Sequence, residues 1–131
     1  MSFPTQYIWN KYGKEGGYWL PTVLYTTYSA NASIGPFSTL FAPQQIFNVV
    51  LTVHGVTGTS PTLTVNLVYY DMYPYQAGYQ TSSSITLFSN LSSAGVYTYS
   101  AANTPYTVIQ FSLALGGTAP SFTISLSIYI R

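Results

Sequence analysis

The chain has no cysteine, so disulfide scaffolds, thiolate metal sites and cysteine nucleophiles are excluded. Charge is nearly as scarce, at 4% of 131 residues against about 25% in an ordinary soluble domain. The charged residues are Lys11, Lys14, Glu15, Asp71 and Arg131, so Asp71 is the one formal charge between Gly16 and Ile130. A net charge of +1 offers no electrostatic footprint for nucleic acid or for an anionic membrane. General acid-base chemistry needs titratable groups, and the chain has one Asp, one Glu and one His. A two-carboxylate glycosidase would need Glu15 and Asp71 to meet across the fold. A Ser-His-Asp triad would have to use His54 and Asp71 with one of many serines. His54, Asp71 and Glu15 lack the spacing of metal ligands. The expectation is a protein that is not an enzyme, with no catalytic residue, no metal site and no cofactor.

Long apolar runs are missing too. No stretch approaches 18 consecutive apolar residues, which argues against a transmembrane helix. The N-terminal residues MSFPTQYIWNKYGKEGGYW lack the apolar core of a secretory signal. No 3.6-residue pattern persists for three helical turns.

What remains is apolar, aromatic and uncharged. Hydrophobic residues make up 47% and aromatics 18%, with 14 Tyr, 7 Phe and 2 Trp. Disordered chains are poor in such residues, so the chain folds. At 14.4 kDa it is one domain, able to bury roughly two-thirds of its unfolded surface. A surface so poor in charge promotes association. Tyr suits contact between copies, because it offers a large rigid area with a polar tip.

The pattern has period two almost everywhere after Pro21. Residues 23–28 alternate, and 31–36 (NASIGP) punctuate. Residues 37–41 read as a short strand. Residues 46–54 place Phe47, Val49, Leu51 and Val53 on one face. Residues 62–70 do the same with Leu63, Val65, Leu67 and Tyr69. Residues 71–84 read as a loop, and 85–89 and 96–100 as short strands. Residues 106–115 group Ile109, Phe111, Leu113 and Leu115, and 122–130 group Phe122, Ile124, Leu126, Ile128 and Ile130. This predicts an all-β fold: an antiparallel β-sandwich, jelly-roll-like, of about eight strands, with an extended N-terminal arm. The arm spans 1–20 and the sandwich domain 21–131.

The sequence also echoes itself. VTGTSPTLTVNL at 56–67 matches LGGTAPSFTISL at 115–126, and Pro61 falls on Pro120. Each copy lies between two alternating stretches. The spacing predicts two hairpins, 46–54 with 62–70 and 106–115 with 121–130, turning on Gly and keeping Pro out of the central ladder.

These segments, GTSPTLTV and GGTAPSFTISL with their flanking strands, resemble small β-sandwich structural proteins of virus particles. Those are capsid, decoration, tail-associated and surface-filament proteins of phages and archaeal viruses. The resemblance covers roughly residues 46–131 and rests on Gly58, Pro61, Leu63, Val65, Gly117, Pro120, Phe122 and Ile124. It implies a non-enzymatic subunit that assembles through its surface. Where such proteins carry charged residues after the first hairpin, this chain has QAGYQTSSS. The Tyr-rich, charge-poor composition also resembles virion and surface proteins of hyperthermophilic archaea.

Four features bear on function. First, residues 1–20 hold Phe3, Tyr7, Trp9, Tyr12, Tyr18 and Trp19 in an irregular pattern, with Gly16 and Gly17 as a hinge. They read either as a strand and loop folded on their own domain or as an arm reaching a neighbouring subunit, with those six aromatics as the interface. Second, the loop YYDMYPYQAGY, with Tyr70, Asp71, Tyr73, Tyr75 and Tyr79, reads as a packing loop or a surface or glycan contact. Third, His54 reads as a hydrogen-bonded rim histidine, with a pH switch as the alternative. Fourth, Asn31 and Asn90 each open an N-glycosylation triplet of the kind that arises by chance in a Ser/Thr-rich chain.

The expected function is structural. The chain reads as a subunit of an extracellular assembly, first of all a virion. Its partners would be copies of itself, then other virion proteins and a host surface glycan, with no nucleic acid and no membrane span. A pilin-like surface filament joined by donor strands, and a carbohydrate-binding module, are the alternatives.

Overall fold

The structure is a computed structural model that describes residues 18–38, 44–70, 82–104 and 108–131. Period two becomes strand throughout: β1 (Tyr18–Tyr28), β2 (Ala32–Ser38), β3 (Gln44–Tyr70), β4 (Ser82–Leu91), β5 (Gly95–Thr104) and β6 (Val108–Ile130). The protein is all-β. Its six strands form one antiparallel sheet, with no helix among the described residues.

The organising element is the ladder between the two long strands. It runs from Phe47↔Ile130 through to Tyr70↔Val108. The two expected hairpins are therefore corrected. Residues 46–54 do not fold back on 62–70; both belong to β3, which continues through the segment GVTGTSP. Likewise 106–115 and 121–130 do not form a hairpin, because 108–130 is the single strand β6. The Gly/Ser/Pro segments are corners. Gly58 and Gly117 have φ of 119° and 100°, and Ser60 and Ala119 have φ of 48° and 49°. These left-handed residues bend each strand without reversing it. The two corners pair with each other (Gly55↔Thr123, Val56↔Phe122, Thr59↔Thr118, Thr62↔Gly116), so the ladder shifts register but does not stop. The described residues hold six strands where about eight were expected in the chain, because two of them each serve twice.

The corners divide the sheet into halves. In one half the order is β1–β6–β3–β5, using residues 122–130 of β6 and 44–53 of β3. In the other it is β2–β6–β3–β4, using 108–113 of β6 and 63–70 of β3. The inward residues of both halves form one core. Phe47, Val49, Leu51, Val53, Phe122, Ile124, Leu126, Ile128 and Ile130 come from the first half. Ile34, Leu63, Val65, Leu67, Phe88, Ile109, Phe111 and Leu113 come from the second. Burying each such side chain is worth about 1.5–3 kcal/mol.

The strands fall into two trios, β1-β2-β3 and β4-β5-β6, each short, short and long. Every ladder among the described residues joins one trio to the other: β1 and β2 lie on β6, and β4 and β5 on β3. The sequence echo thus marks a structural repeat, with the two corners as equivalent points.

Candidate functional site

The charge-poor composition leaves few groups for chemistry, so the sheet edges come first. Among the described residues four strands lie at edges: β1 and β5 in one half, β2 and β4 in the other. An edge strand offers unpaired N–H and C=O groups, and proteins blunt such edges with bulges, proline or charge. Three edges here are interrupted. β1 contains Pro21 and register shifts between Pro21 and Val23 and between Val23 and Thr26. β2 shifts between Ile34 and Phe37, around Gly35 and Pro36. β4 shifts twice against residues 63–66 of β3. By contrast, β5 pairs with β3 without a register shift, from Gln44↔Thr104 to Val53↔Gly95. It carries no charge and no proline.

Exposed apolar groups concentrate on the same half. Among the described residues the exposed large hydrophobics are Trp19 (49%), Leu24 (73%) and Tyr25 (67%) on β1, and Val96 (66%) on β5. The β1 bulge explains two of them. In a regular strand neighbouring side chains alternate between faces. The extra residue between Val23 and Thr26 lets Leu24 and Tyr25 both face outward.

Tyr25 has φ 47°, a conformation that costs a bulky residue about 1–2 kcal/mol. Two contacts hold it there. Its N–H donates to Ser125 Oγ at 2.9 Å, and its ring stacks on His54 at 3.9 Å. His54 Nε2 and Ser125 Oγ share a hydrogen bond of 2.7 Å. His54 is thus half-buried and hydrogen-bonded. The same device recurs in the other trio, where Asn90 has φ 53° and its N–H donates to Thr64 Oγ1 at 3.1 Å. Asn tolerates that backbone and Tyr does not, so at β1 the ring is held by its histidine. Trp19 leans on Tyr129, with ring centroids 5.1 Å apart. Deeper in β1, burial pushes the Tyr28 hydroxyl pKa up from 10.0.

His54 and Ser125 form a dyad. A triad's orienting carboxylate would have to be Glu15 or Asp71, and both lie outside the described residues. No cluster of three or more metal-ligating side chains occurs among the described residues. No helix there is long and apolar enough to cross a membrane.

Of the interface residues expected from sequence, Tyr18 and Trp19 lie in β1, which begins inside the expected arm, and Tyr18 pairs with Ile130. Phe3, Tyr7, Trp9 and Tyr12 lie outside the described residues. Tyr70 ends β3, paired with Ser82 and Val108, whereas Asp71, Tyr73, Tyr75 and Tyr79 lie outside. Asn31 and Asn90 are both exposed. Asn31 Oδ1 accepts the Leu115 N–H at 2.9 Å, and Asn90 Oδ1 accepts from Thr64 Oγ1 at 3.5 Å. Sequence reasoning missed Leu24, Val96 and Ser125. The first two matter because of where the edges fall, and the third because of its strand partner.

No protein-family model and no curated protein matches the sequence. Among solved structures the chain is similar to FLHE, at 12% identity and a TM-score of 0.41, over 86% of this chain and 90% of that one. It is similar to the Clostridium thermocellum xylanase 10B CBM22-1-GH10 modules solved with xylohexaose, at 10% identity and a TM-score of 0.44, over 84% and 25%. It is similar to a protein of infectious bursal disease virus, Gx strain, at 13% identity and a TM-score of 0.45, over 86% and 31%. The chain thus spans about a quarter and about a third of the latter two. Likenesses at this level assign no family and no role.

Proposed function

We propose that this chain is a non-enzymatic structural subunit that assembles with copies of itself in an extracellular particle or filament, first of all a virion. The observation that carries the reading is the concentration of exposed apolar side chains on the edges of one uncharged half-sheet: Trp19, Leu24 and Tyr25 on β1 and Val96 on β5. Covering them releases water at about 25 cal/mol per Å² of apolar area. With no formal charge on either strand, no ion has to be desolvated when copies meet. We read the interleaved order of the two halves as jelly-roll-like, an architecture that recurs in viral capsid and lectin domains. It supports the virion reading only by analogy of fold.

The test is direct. The purified chain is measured by light scattering and viewed by negative-stain electron microscopy. Filaments, rings or shells are expected. A monomer at all concentrations overturns the reading.

A further inference from the structure

We propose that the β5 edge is the docking site for residues 1–17 of a second copy, which add there as one more strand and join copies head to tail. The inference rests on the self-assembly reading and says where the joint lies.

The acceptor is set by the geometry. Among the described residues β5 pairs on one side only, with β3. It is ten residues long, regular, uncharged and free of proline, unlike the interrupted β1, β2 and β4. Its outward side chains, Val96, Thr98, Ser100 and Ala102, are exposed and small, while Tyr97 and Tyr99 pack against the core. A strand added to such an edge gains main-chain hydrogen bonds, with side-chain contacts on alternate positions.

The occupant follows from length, pattern and origin. Seventeen residues of this sequence precede β1. Within them residues 1–10, MSFPTQYIWN, match β5 in length and carry no charged side chain, with the aromatics Phe3, Tyr7 and Trp9 all at odd positions. Lys11, Lys14 and Glu15 lie beyond it, followed by Gly16 and Gly17. Pro4 is tolerated where its missing N–H faces away from the partner.

The origin favours a second copy, since reaching β5 of its own domain would carry residues 10–17 across the whole half-sheet. One row of the half-sheet reads Tyr18, Ile130, Phe47, Ala101. The segment thus leaves from the edge opposite β5, three strand spacings or about 14 Å away. A neighbour whose β1 edge faces this β5 edge delivers its own segment directly to the acceptor. The same approach covers Trp19 and Leu24 on one side and Val96 on the other. The two patches differ, so the contact is heterologous and propagates.

The absence of cysteine makes the test clean. One tagged chain carries Thr5→Cys and a differently tagged chain carries Thr98→Cys; they are mixed, assembled and treated with a bifunctional maleimide. A cross-link between the two tags is expected. Thr98→Lys with Ser100→Lys, at exposed positions, is expected to abolish assembly while the near-UV circular dichroism stays native. A cross-link that forms within a third chain carrying both Thr5→Cys and Thr98→Cys, with none between the two tags, overturns the proposal, since the segment then serves its own domain. So does cross-linking of Thr98→Cys chains to each other alone, which assigns the edge to a second β5. Assembly with no cross-link overturns the docking site but leaves self-assembly standing. A wild-type chain that stays monomeric overturns both.

Discussion

Ser60 and Ala119 hold the same left-handed backbone, with φ of 48° and 49°, at equivalent points of the two corners. Each precedes a proline, Pro61 or Pro120, and follows a positive-φ glycine, Gly58 or Gly117. The corners also lie against each other. A Cβ on Gly58 would come within 2.7 Å of the Ala119 carbonyl oxygen, and one on Gly117 would collide with the Ser60 carbonyl.

The first prediction concerns this joint. Gly58→Ala meets both a left-handed φ and the Ala119 carbonyl, and is expected to cost about 1–3 kcal/mol. Ala119→Gly removes the backbone penalty at a surface position and is expected to be neutral or slightly stabilising. Urea midpoints of the two variants check the contrast.

The second concerns the core. Phe111 and Phe122 are fully buried on opposite sides of the β6 corner. Truncating either to Ala is expected to cost about 3–5 kcal/mol, a large part of the stability of a domain this size. Leu24→Ser, on an exposed side chain, is expected to leave the thermal midpoint nearly unchanged while weakening assembly. An equal loss of stability for Leu24→Ser would show that its side chain packs within its own domain.

The third concerns His54 and Ser125. Ser125→Ala strips partners from both the Tyr25 N–H and His54 Nε2, and is expected to cost about 1–3 kcal/mol. A double-mutant cycle with His54→Ala is expected to show coupling of about 0.5–1.5 kcal/mol. Additive losses would show that the 2.7 Å contact contributes nothing in solution.

The fourth concerns pH. Burial raises the Tyr28 pKa above its unfolded value of 10.0, because the phenolate is poorly solvated there. Above that pH the unfolded chain gives up this proton while the folded chain keeps it, so stability falls as pH rises. Below pH 10 the contribution is fully present. Tyr28→Phe is expected to flatten the alkaline decline measured by denaturant titration between about pH 9 and 11.

Much of this architecture is legible in the residues. Phe47, Val49, Leu51 and Val53 fall on alternate positions, and every one is buried. The same holds for Phe122, Ile124, Leu126, Ile128 and Ile130. The repeat between 56–67 and 115–126 was visible, but its meaning was not. Gly, Ser and Pro serve a reversing turn and a bending strand equally well, and the deciding fact is that Val56 pairs with Phe122. That partner is distant in sequence, and local chemistry does not encode it. The edge site was illegible for the same reason. Val96 is an ordinary strand valine until β5 proves to have one neighbour among the described residues, and Ser125 is one serine among many until β6 sets it beside His54.

The cross-pairing of the two trios bears on biosynthesis. Among the described residues β1 and β2 have no ladder partner except β6, which is synthesised after the other five strands. A growing chain can form the ladders of β4 and β5 on β3, but β1 and β2 stay unpaired until residues 108–130 emerge. Folding therefore waits for β6 and proceeds through contacts far apart in sequence, which close slowly. A nascent fragment has only an unfinished sheet to offer a neighbour. The composite half-sheet, with β1 at one edge and β5 at the other, exists only once β6 is in place.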